Sequence, residues 1–440
     1  MALKFTFKGG IHVPENKSFT EDKKIETAKN PKIVYIPLHQ HVGAPCKPLV
    51  KKGDIVKIGQ KIGDSDAAVS APVHSSISGV VKGIEKKYSA GGRQTECIVI
   101  ESDGEENYDD SLISHKKGDK LSHEEIEKIV REAGIVGMGG AGFPTGTKLI
   151  TSKGSIDSII LNGAECEPYL TCDHRLMLEE AEKVINGLEI MLDYFETAKG
   201  YIGVEDNKKD AIEALKKAAQ GHSNIEIITL ESKFPQGDSY RMVDSILKRK
   251  VPQGGRGKDV NCIINNVGTA AAISDAVLEG KPSYERIITV TGNGVKTPKN
   301  LMVKIGTTIG DVIEQCGGFN GTPAKIISGG PMTGITQFDL DAPIIKATCG
   351  ILVLNEEEVN KEKVMPCIKC GKCVDICPVF LEPLFISANS LKDRFEEAEA
   401  LNALSCIACG SCSFICPAKR PLTESIVHAK REINKKRRKS

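Results

Sequence analysis

Along the first hundred residues the apolar positions come in short β-type runs, Lys32-Ile-Val-Tyr-Ile36, Asp54-Ile-Val-Lys-Ile58 and Ile77-Ser-Gly-Val-Val81, separated by Gly, Pro and Lys-Gly-Asp turns. This pattern predicts a small all-β unit over residues 1–105, closed by the polar stretch Ser102–Asp110. At Ser122 the period changes. Ser122-His-Glu-Glu-Ile-Glu-Lys-Ile-Val-Arg-Glu-Ala133 has the spacing of an amphipathic helix, with Ser122 and Glu125 placed to form a capping box. Apolar runs then alternate with helical patterns to about Leu278, which predicts an α/β layer architecture over 120–280. Residues 285–340 return to short β runs around one helix, Thr308–Cys316, with Gly317-Gly318 past its end, the outline of a compact α+β unit of β-grasp type. A cysteine-rich helical segment fills 357–425, and 426–440 ends in the cation run Lys435-Lys-Arg-Arg-Lys439.

Length and charge narrow the function classes. With 440 residues the chain has room for about three domains at roughly 150 residues each. The 59 basic and 58 acidic residues leave a net charge of +1, which removes the global electrostatic argument for a nucleic-acid partner. No apolar run approaches the roughly 20 residues that span a bilayer. The start, Met1-Ala-Leu-Lys-Phe-Thr-Phe-Lys, lacks the apolar core of a secretory signal, so the expected compartment is cytoplasmic. Fifteen cysteines in a reducing compartment need an explanation other than disulfides.

Eight of them supply it. Cys367-x-x-Cys370-x-x-Cys373-x-x-x-Cys377-Pro378 and Cys406-x-x-Cys409-x-x-Cys412-x-x-x-Cys416-Pro417 both follow the bacterial ferredoxin spacing. Three thiolates two residues apart can wrap three irons of one cubane, while the fourth, turned away before proline, reaches the neighbouring cluster. Cys367, Cys370, Cys373 and Cys416 are thereby assigned to one [4Fe–4S] centre, and Cys377, Cys406, Cys409 and Cys412 to the second. Zinc, which prefers four ligands in pairs, fits this 3+1 arrangement poorly. Cysteines 46, 97, 166, 172, 262, 316 and 349 show no ligand spacing and read as inert buried thiols. Two clusters make a one-electron wire, and something else must load it.

A glycine-rich loop, Gly134-Ile-Val-Gly-Met-Gly-Gly-Ala-Gly-Phe-Pro-Thr-Gly-Thr-Lys148, concentrates backbone that can approach a phosphate closely. It is neither a dinucleotide fingerprint, since no strand leads into it, nor a P-loop, since no Gly-Lys-Ser/Thr follows. Three polar patches follow apolar runs in the same domain: Asn162-Gly-Ala-Glu-Cys-Glu-Pro168, Tyr201-Ile-Gly-Val-Glu-Asp-Asn207 and Ile263-Ile-Asn-Asn-Val-Gly-Thr269. Strand ends of open α/β sheets are where ligands bind.

Phe-Pro-Thr-Gly, Asn…Glu-x-Glu-Pro and Asn-Asn-Val-x-Thr together resemble the NADH-oxidising, FMN-binding subunit of respiratory complex I. Gly-Met-Gly-Gly at 137–140, the run at 167–175 and the second cluster motif depart from that protein and resemble the RnfC family instead, the C subunits of Rnf complexes. That resemblance, which covers essentially the whole chain, implies an N-terminal barrel-sandwich hybrid opening with Gly9-Gly-Ile-His12, an α/β flavin/NADH-binding domain, a soluble-ligand-binding (SLBB-type) β-grasp domain and a helical two-cluster ferredoxin domain. It implies that Gly137, Gly139, Gly140 and Gly142 line the FMN and NADH phosphates and that Lys148 supports the flavin side. It further implies FMN contacts from Asn162, Glu165, Asn265, Asn266 and Thr269, adenine stacking by Phe143, and a nicotinamide side bordered by Glu167, Glu205 and Asp206. The carrier-like half-repeats at 50–60 and 71–81 lack a carrier lysine, with Asp66-Ala-Ala at that place, and read as a scaffold or docking module.

The implied function is electron transfer between NAD(H), FMN and two [4Fe–4S] clusters in a membrane ferredoxin:NAD oxidoreductase that translocates ions. The implied partners are NADH, integral and peripheral membrane subunits and, indirectly, ferredoxin, with the chain peripheral on the cytoplasmic face and no nucleic acid involved. The basic tail offers either a solvated end or an attachment to anionic lipid or an acidic partner. A soluble flavin and iron–sulfur reductase, such as a microcompartment cobalamin reductase, is the alternative enzyme, although its flavoprotein domain opens the chain. A cluster-carrying scaffold with degenerate nucleotide sites is the non-enzymatic one.

Overall fold

The computed structural model describes residues 5–152, 156–196, 199–359 and 361–438. In the N-terminal unit Ile33–Pro37, Gln94–Ser102, Gly79–Tyr88 and Ile55–Val56 form one sheet in that order, and Lys47–Pro48, Lys61–Asp64 and Val73–His74 form a second. Alternate residues point inward, so Val34, Ile36, Val56, Ile62, Val73, Ile98 and Ile100 seal one core. The turn where a carrier arm would sit is clamped to the next unit. Arg131 donates to both Asp64 oxygens at 2.9 and 2.8 Å, and Thr147 donates to the Ala68 carbonyl at 3.0 Å. A docked module, not a swinging arm, follows from that attachment.

The second unit opens as its spacing predicts: Ser122 accepts from the Glu125 N–H at 3.2 Å and Glu125 from the Ser122 N–H at 2.7 Å, the two bonds of a capping box on helix His123–Glu132. Its four strands are all parallel, in the order Ile225–Leu230, Lys199–Glu205, Ser158–Gly163, Cys262–Asn266. Helices cover both faces, which is why Ile159, Ile160 and Leu161 run apolar without alternation. The chain order third, second, first, fourth reverses between the last two strands. Their carboxyl ends therefore bound the crevice of a doubly wound sheet.

The β-grasp unit is larger than its sequence outline. Its sheet runs Ile25–Thr27, Lys299–Lys304, Glu285–Thr291, Gly350–Asn355, Pro323–Ser328, Ile335–Gln337, and helix Ile309–Gln315 is capped by Thr308 and closed by Gly317 and Gly318 at φ +82° and +80°. Gly350–Asn355 lies in mid-sheet, outside the 285–340 range, because a continuous apolar run does not display the alternation of a half-buried strand. Ile25–Thr27 is too short for a period to be read at all.

In the cysteine-rich unit helices Pro383–Ser390, Phe395–Ala400 and Leu422–Arg437 pack through Ile386, Ala398, Ile426, Ala429 and Ile433. The expected basic tail is thus mostly the last turns of a packed helix. Lys436 pairs with Glu396 and Arg437 with Glu399, so these cations already face acids of the same chain; Lys439 lies outside the described residues.

Two features tie the units together. Residues 5–27 form a strap: Phe5 bridges to Leu230, the Gly10 N–H donates to the Ile376 carbonyl at 2.8 Å, Ile11 exchanges hydrogen bonds with Phe234, and Ile25–Thr27 joins the β-grasp sheet. The second is Lys346, 1% exposed, which donates to the Pro72 carbonyl of the barrel at 2.7 Å and to the Gly134 carbonyl at the base of the glycine loop at 2.6 Å. Gly134, at φ +64°, leaves no room there for a side chain, since a Cβ would stand 2.6 Å from the ammonium nitrogen.

Burial pushes the Lys346 pKa down to about 7, so between pH 7 and its ordinary value of 10.5 unfolding takes up a proton. Stability from this group therefore rises with pH across that window. Lys346→Met is expected to flatten that slope and, by orphaning two buried carbonyls at about 1–3 kcal/mol each, to lower the first unfolding midpoint. Urea unfolding across a pH series checks both.

Candidate functional site

Asn266 ends the fourth parallel strand and caps the following helix, Val267–Leu278, by accepting from the Gly268 N–H at 2.8 Å. The positive end of that helix lies at the reversal of strand order, beside the glycine-rich loop. Thr269 accepts the Met138 N–H at 3.0 Å, while Arg286, from the first β-grasp hairpin, donates to the Met138 carbonyl at 3.0 Å. The loop is fixed on both sides at this point. Beyond it Gly139, Gly140 and Ala141 are exposed, and their N–H groups donate no hydrogen bond among the described residues. A Cβ on Gly139 would stand 3.0 Å from the Asn266 Cβ, whereas Gly140 has open space around it. Free amides, a helix N-terminus and a cradle that a side chain would fill suit the phosphate end of a nucleotide.

The first strand supplies the opposite wall. Asn162 donates to the Gly237 carbonyl at 2.8 Å and accepts from the Ala164 N–H at 3.1 Å. The chain then turns through two non-glycine residues in the left-handed region, Glu165 at φ +47° and Tyr169 at φ +70°. Two buried lysines hold this turn. Lys208 donates to the Ala164 carbonyl at 2.8 Å and pairs with Glu205 at 3.2 Å; Lys17, from the strap, donates to the carbonyls of Glu165, Glu167 and Leu170 at 2.9, 3.0 and 2.6 Å. Burial, and then the charge of Lys208, pushes the Lys17 pKa down, and burial pushes that of Glu205 up. The Glu165 carboxylate accepts from the Asp173 and His174 N–H groups at 2.7 and 3.2 Å, capping helix Cys172–Glu179. Asp173 in turn accepts from the Asn266 amide at 2.6 Å, which closes the crevice from wall to wall. Burial, reinforced by Glu165, raises the Asp173 carboxyl to about 6.

The crevice gathers Gly139, Gly140, Asn162, Glu165, Asn266 and Thr269. Gly137 and Gly142 shape the loop: the Gly137 N–H donates to the Phe143 carbonyl at 2.9 Å, and Gly142, at φ +67°, offers its carbonyl to the Val42 N–H at 3.3 Å. Phe143 is half-buried, with the Arg256 guanidinium 5.9 Å from its ring centroid. Four expected residues sit differently. Lys148 donates to the Ile264 carbonyl and to Asn265 at 2.9 Å, with burial lowering its pKa to about 8, and the Asn265 amide reaches Met191. Asn265 and Asn266 are successive strand residues and project to opposite faces, so Lys148 and Asn265 brace the strand from behind. Glu205 is 2% exposed and committed to Lys208. Asp206 accepts from the Ser232 N–H and hydroxyl at 3.2 and 2.6 Å and closes a surface turn.

Glu167 points to the β-grasp unit, accepting from the Met332 N–H at 3.1 Å and from the Thr333 hydroxyl. Its carboxylate packs on Gly330, where a Cβ would stand 2.3 Å away. Loop 330–333 continues to the second cysteine run, since a Cβ on Gly410 would lie 2.9 Å from the Met332 carbonyl oxygen. No sequence pattern singles out Lys17, Asp173, Lys208 or Arg286. A lone lysine or arginine reads as solvated until the fold buries it, and Asp173 lies in a stretch that departs from a related motif and carries no signal of its own.

The cysteines separate into two groups. Cys373 lies within Coulombic reach of Cys367 and Cys416, and Cys412 within reach of Cys377, Cys406 and Cys409. Cys367, Cys370, Cys373 and Cys416 line one pocket with Ile368, Leu384, Pro417 and Leu422. Thiols from both runs converging on an apolar pocket fit a cubane. The Cys377 group adjoins the α/β unit: Arg241 donates to the Pro378 carbonyl at 2.5 Å, Gly10 binds the Ile376 carbonyl, and Cys409 feels the charge of Asp238. In the other group Cys367 and Cys370 are exposed. Burial raises the pKa of all seven remaining thiols, as inert cysteines require.

Comparison with known proteins divides the chain in the same order. Residues 5–105 match the RnfC barrel sandwich hybrid domain, 130–275 the Nuo51 FMN-binding domain, 287–336 the SLBB domain and 358–417 the 4Fe-4S dicluster domain. The chain is 48% identical over 435 residues, 99% of its length and 98% of the relative's, to the C subunit of the Na(+)-translocating ferredoxin:NAD(+) oxidoreductase complex of Acetobacterium woodii. It is 47% identical to the C subunit of the proton-translocating complex of Clostridium ljungdahlii, covering 97% and 94% of the two chains. With the C subunit of the ion-translocating oxidoreductase complex of Rhodobacter capsulatus it shares 39%, over 98% and 84%.

Filling the cradle tests the site. Gly139→Val overpacks against Asn266 by about 1–3 kcal/mol, so FMN affinity is expected to fall roughly tenfold or more. Flavin and iron assays on the purified variant check this, with iron per chain unchanged.

Proposed function

The chain belongs to the RnfC family, the C subunits of ion-translocating ferredoxin:NAD(+) oxidoreductase complexes of the Rnf type, and from that membership we propose how its residues serve electron transfer. It is a subunit of a multi-subunit, membrane-associated oxidoreductase complex, with FMN and two [4Fe–4S] clusters as cofactors. No described helix is long and apolar enough to cross a membrane. In this reading integral and peripheral partner subunits hold the chain at the cytoplasmic face, NADH is its own substrate, and ferredoxin reaches it only through those partners.

One observation carries the assignment of roles: the phosphate-type cradle and the Cys377 group of thiols adjoin the same α/β unit. Gly139 and Gly140, on a loop shaped by Gly137 and Gly142, hold the phosphates together with the N-terminus of Val267–Leu278. Asn162, Glu165, Asn266 and Thr269 orient the flavin through amides, a carboxylate and a hydroxyl, while Lys148 and Asn265 keep the strand beneath it in place. Phe143 offers the flat apolar face on which an adenine stacks. Glu167, Glu205 and Asp206 hold the turns bordering the nicotinamide side and act as positioning residues. When bound, FMN supplies the conversion between the two-electron hydride chemistry of NAD(H) and single-electron transfer, and the clusters supply the one-electron steps. The chain holds that chemistry in line through Asn162, bonded to Gly237, then Asp238, which caps helix Ser239–Leu247, and Arg241, bonded to Pro378 beside Cys377.

This arrangement makes the Cys377 group the inner relay and the Cys367 group the outer one. Cys412→Ser is expected to abolish NADH-driven reduction of both centres at short times, whereas Cys373→Ser spares the inner one. Freeze-quench electron paramagnetic resonance of anaerobically purified protein separates the cases; equal loss from either substitution would remove the order. Iron, sulfide and FMN quantification of the wild type, with flavin bleaching by NADH, tests the reading as a whole.

A further inference from the structure

The outer group of thiols lies at a surface of unusual composition. All residues from Lys361 to Cys370 are exposed, among them Val364 at 58%, Met365 at 56% and Ile368 at 69%. Large apolar side chains seldom stay in water so close together. The Met365 N–H donates to the Ala418 carbonyl at 2.9 Å, which draws this segment against the second cysteine run beside Cys416. Ile368 lines the pocket of Cys367, Cys370, Cys373 and Cys416, Met365 is bonded to Ala418 of the same lining, and Val364 precedes them on the same exposed segment.

Charge surrounds them asymmetrically. Besides Lys361, which pairs with Glu356, Lys363, Lys369 and Lys372 lie along the first cysteine run and its approach, and Lys419 and Arg420 at the end of the second, against the acids Glu362 and Asp375. Glu362 is held by Lys419 at 2.8 Å, and Lys363, Lys369 and Lys372 form no ion pair among the described residues. A chain of net charge +1 has placed uncompensated positive charge around an apolar centre here. By contrast, the cations Lys436 and Arg437 are paired within the chain and offer less to a partner.

We propose that this surface, Val364, Met365 and Ile368 ringed by Lys363, Lys369 and Lys372, is the docking face for a partner subunit that presents an apolar centre with an acidic rim and carries its own one-electron centre. The proposal rests on the electron-transfer role above and adds where the outer relay meets its neighbour. An apolar centre excludes water from the contact, and a rim of opposite sign steers the approach and fixes orientation. The exchange is of single electrons, each lost by one side and gained by the other, with no bond made or broken.

The test uses the full chain and membrane vesicles that contain the remaining subunits of the complex. Lys363→Glu/Lys369→Glu/Lys372→Glu is expected to bind these vesicles about tenfold more weakly at low salt and to lose most of the salt dependence that the wild type shows. Val364→Ser/Met365→Ser is expected to weaken binding while keeping the salt dependence. Both variants are expected to retain FMN, iron and NADH oxidation with ferricyanide, which shows that the units are folded and loaded. Undiminished binding of the triple variant overturns the proposal. So does equal binding of the wild type to phosphatidylglycerol vesicles without protein, which would assign the face to lipid, or loss in the triple variant of a wild-type dimer, which would assign it to a second copy. Failure of the electron-transfer reading would appear separately, as wild-type protein without flavin or without NADH oxidation.

Discussion

The ammonium group of Lys17 sets the constraint on which the rest depends. It is 5% exposed, and it organises a turn whose backbone would otherwise have several buried carbonyls and no donor. Removing a cation from water costs several kcal/mol, and only close, well-directed acceptors offset that cost. Three carbonyls within hydrogen-bond distance meet this condition, so the turn closes around the lysine in one conformation. That conformation places Glu165 to cap the following helix and Glu167 to reach the β-grasp loop. Because Lys17 arrives on the strap, the crevice of the α/β unit is incomplete until residues 5–27 have docked.

From this turn the site extends by polar contacts in two directions. Thr171 donates its hydroxyl to Asn300 at 2.9 Å and its N–H to the Thr289 hydroxyl at 3.0 Å, and the Thr20 hydroxyl lies 2.7 Å from its own. All four residues are buried, so the strap, the turn and the β-grasp sheet share one set of hydrogen bonds. In the other direction Asn162, Gly237 and Arg241 lead to the inner cysteines. The β-grasp loop at 330–333 makes a second link, from Glu167 to Gly410 between Cys409 and Cys412. A relay of single electrons depends steeply on separation, and two independent braces across the same gap keep that separation fixed.

How much of this was legible in the sequence depended on whether the information was local. The capping box at Ser122, the glycine closure at 317–318 and the two cysteine runs are set by residues a few positions apart, and each has the local structure or grouping that its spacing predicts. The resemblance of whole segments to a known family carries the order of the units. Strand Ile25–Thr27 is not legible, because three residues carry no period and its partner lies 275 positions along the chain at Asn300. The glutamates are misplaced by pattern for a related reason. Their position just past a strand says that they stand near the crevice, but the partners that turn Glu205 inward and Glu167 toward another unit come from remote segments. The cation run at the end likewise reads as either a solvated end or an attachment to another molecule, because the acids that meet Lys436 and Arg437, Glu396 and Glu399, belong to a different helix.

Lys17, Lys208 and Lys346 show a common solution to joining these units. Each is buried and directs its ammonium group at backbone carbonyls, across a junction for Lys17 and Lys346 and within the α/β unit for Lys208. An apolar junction of the same area would hold the units together but would tolerate sliding, since hydrophobic contact is not directional. A buried amine tolerates little, because displacement leaves its N–H groups without acceptors in a medium that cannot replace them. Stability is therefore surrendered to desolvation at these points, and a fixed register between the barrel, the crevice and the β-grasp loop is what the arrangement gains. For a protein whose units must hold redox centres in line, that register matters more than the energy lost.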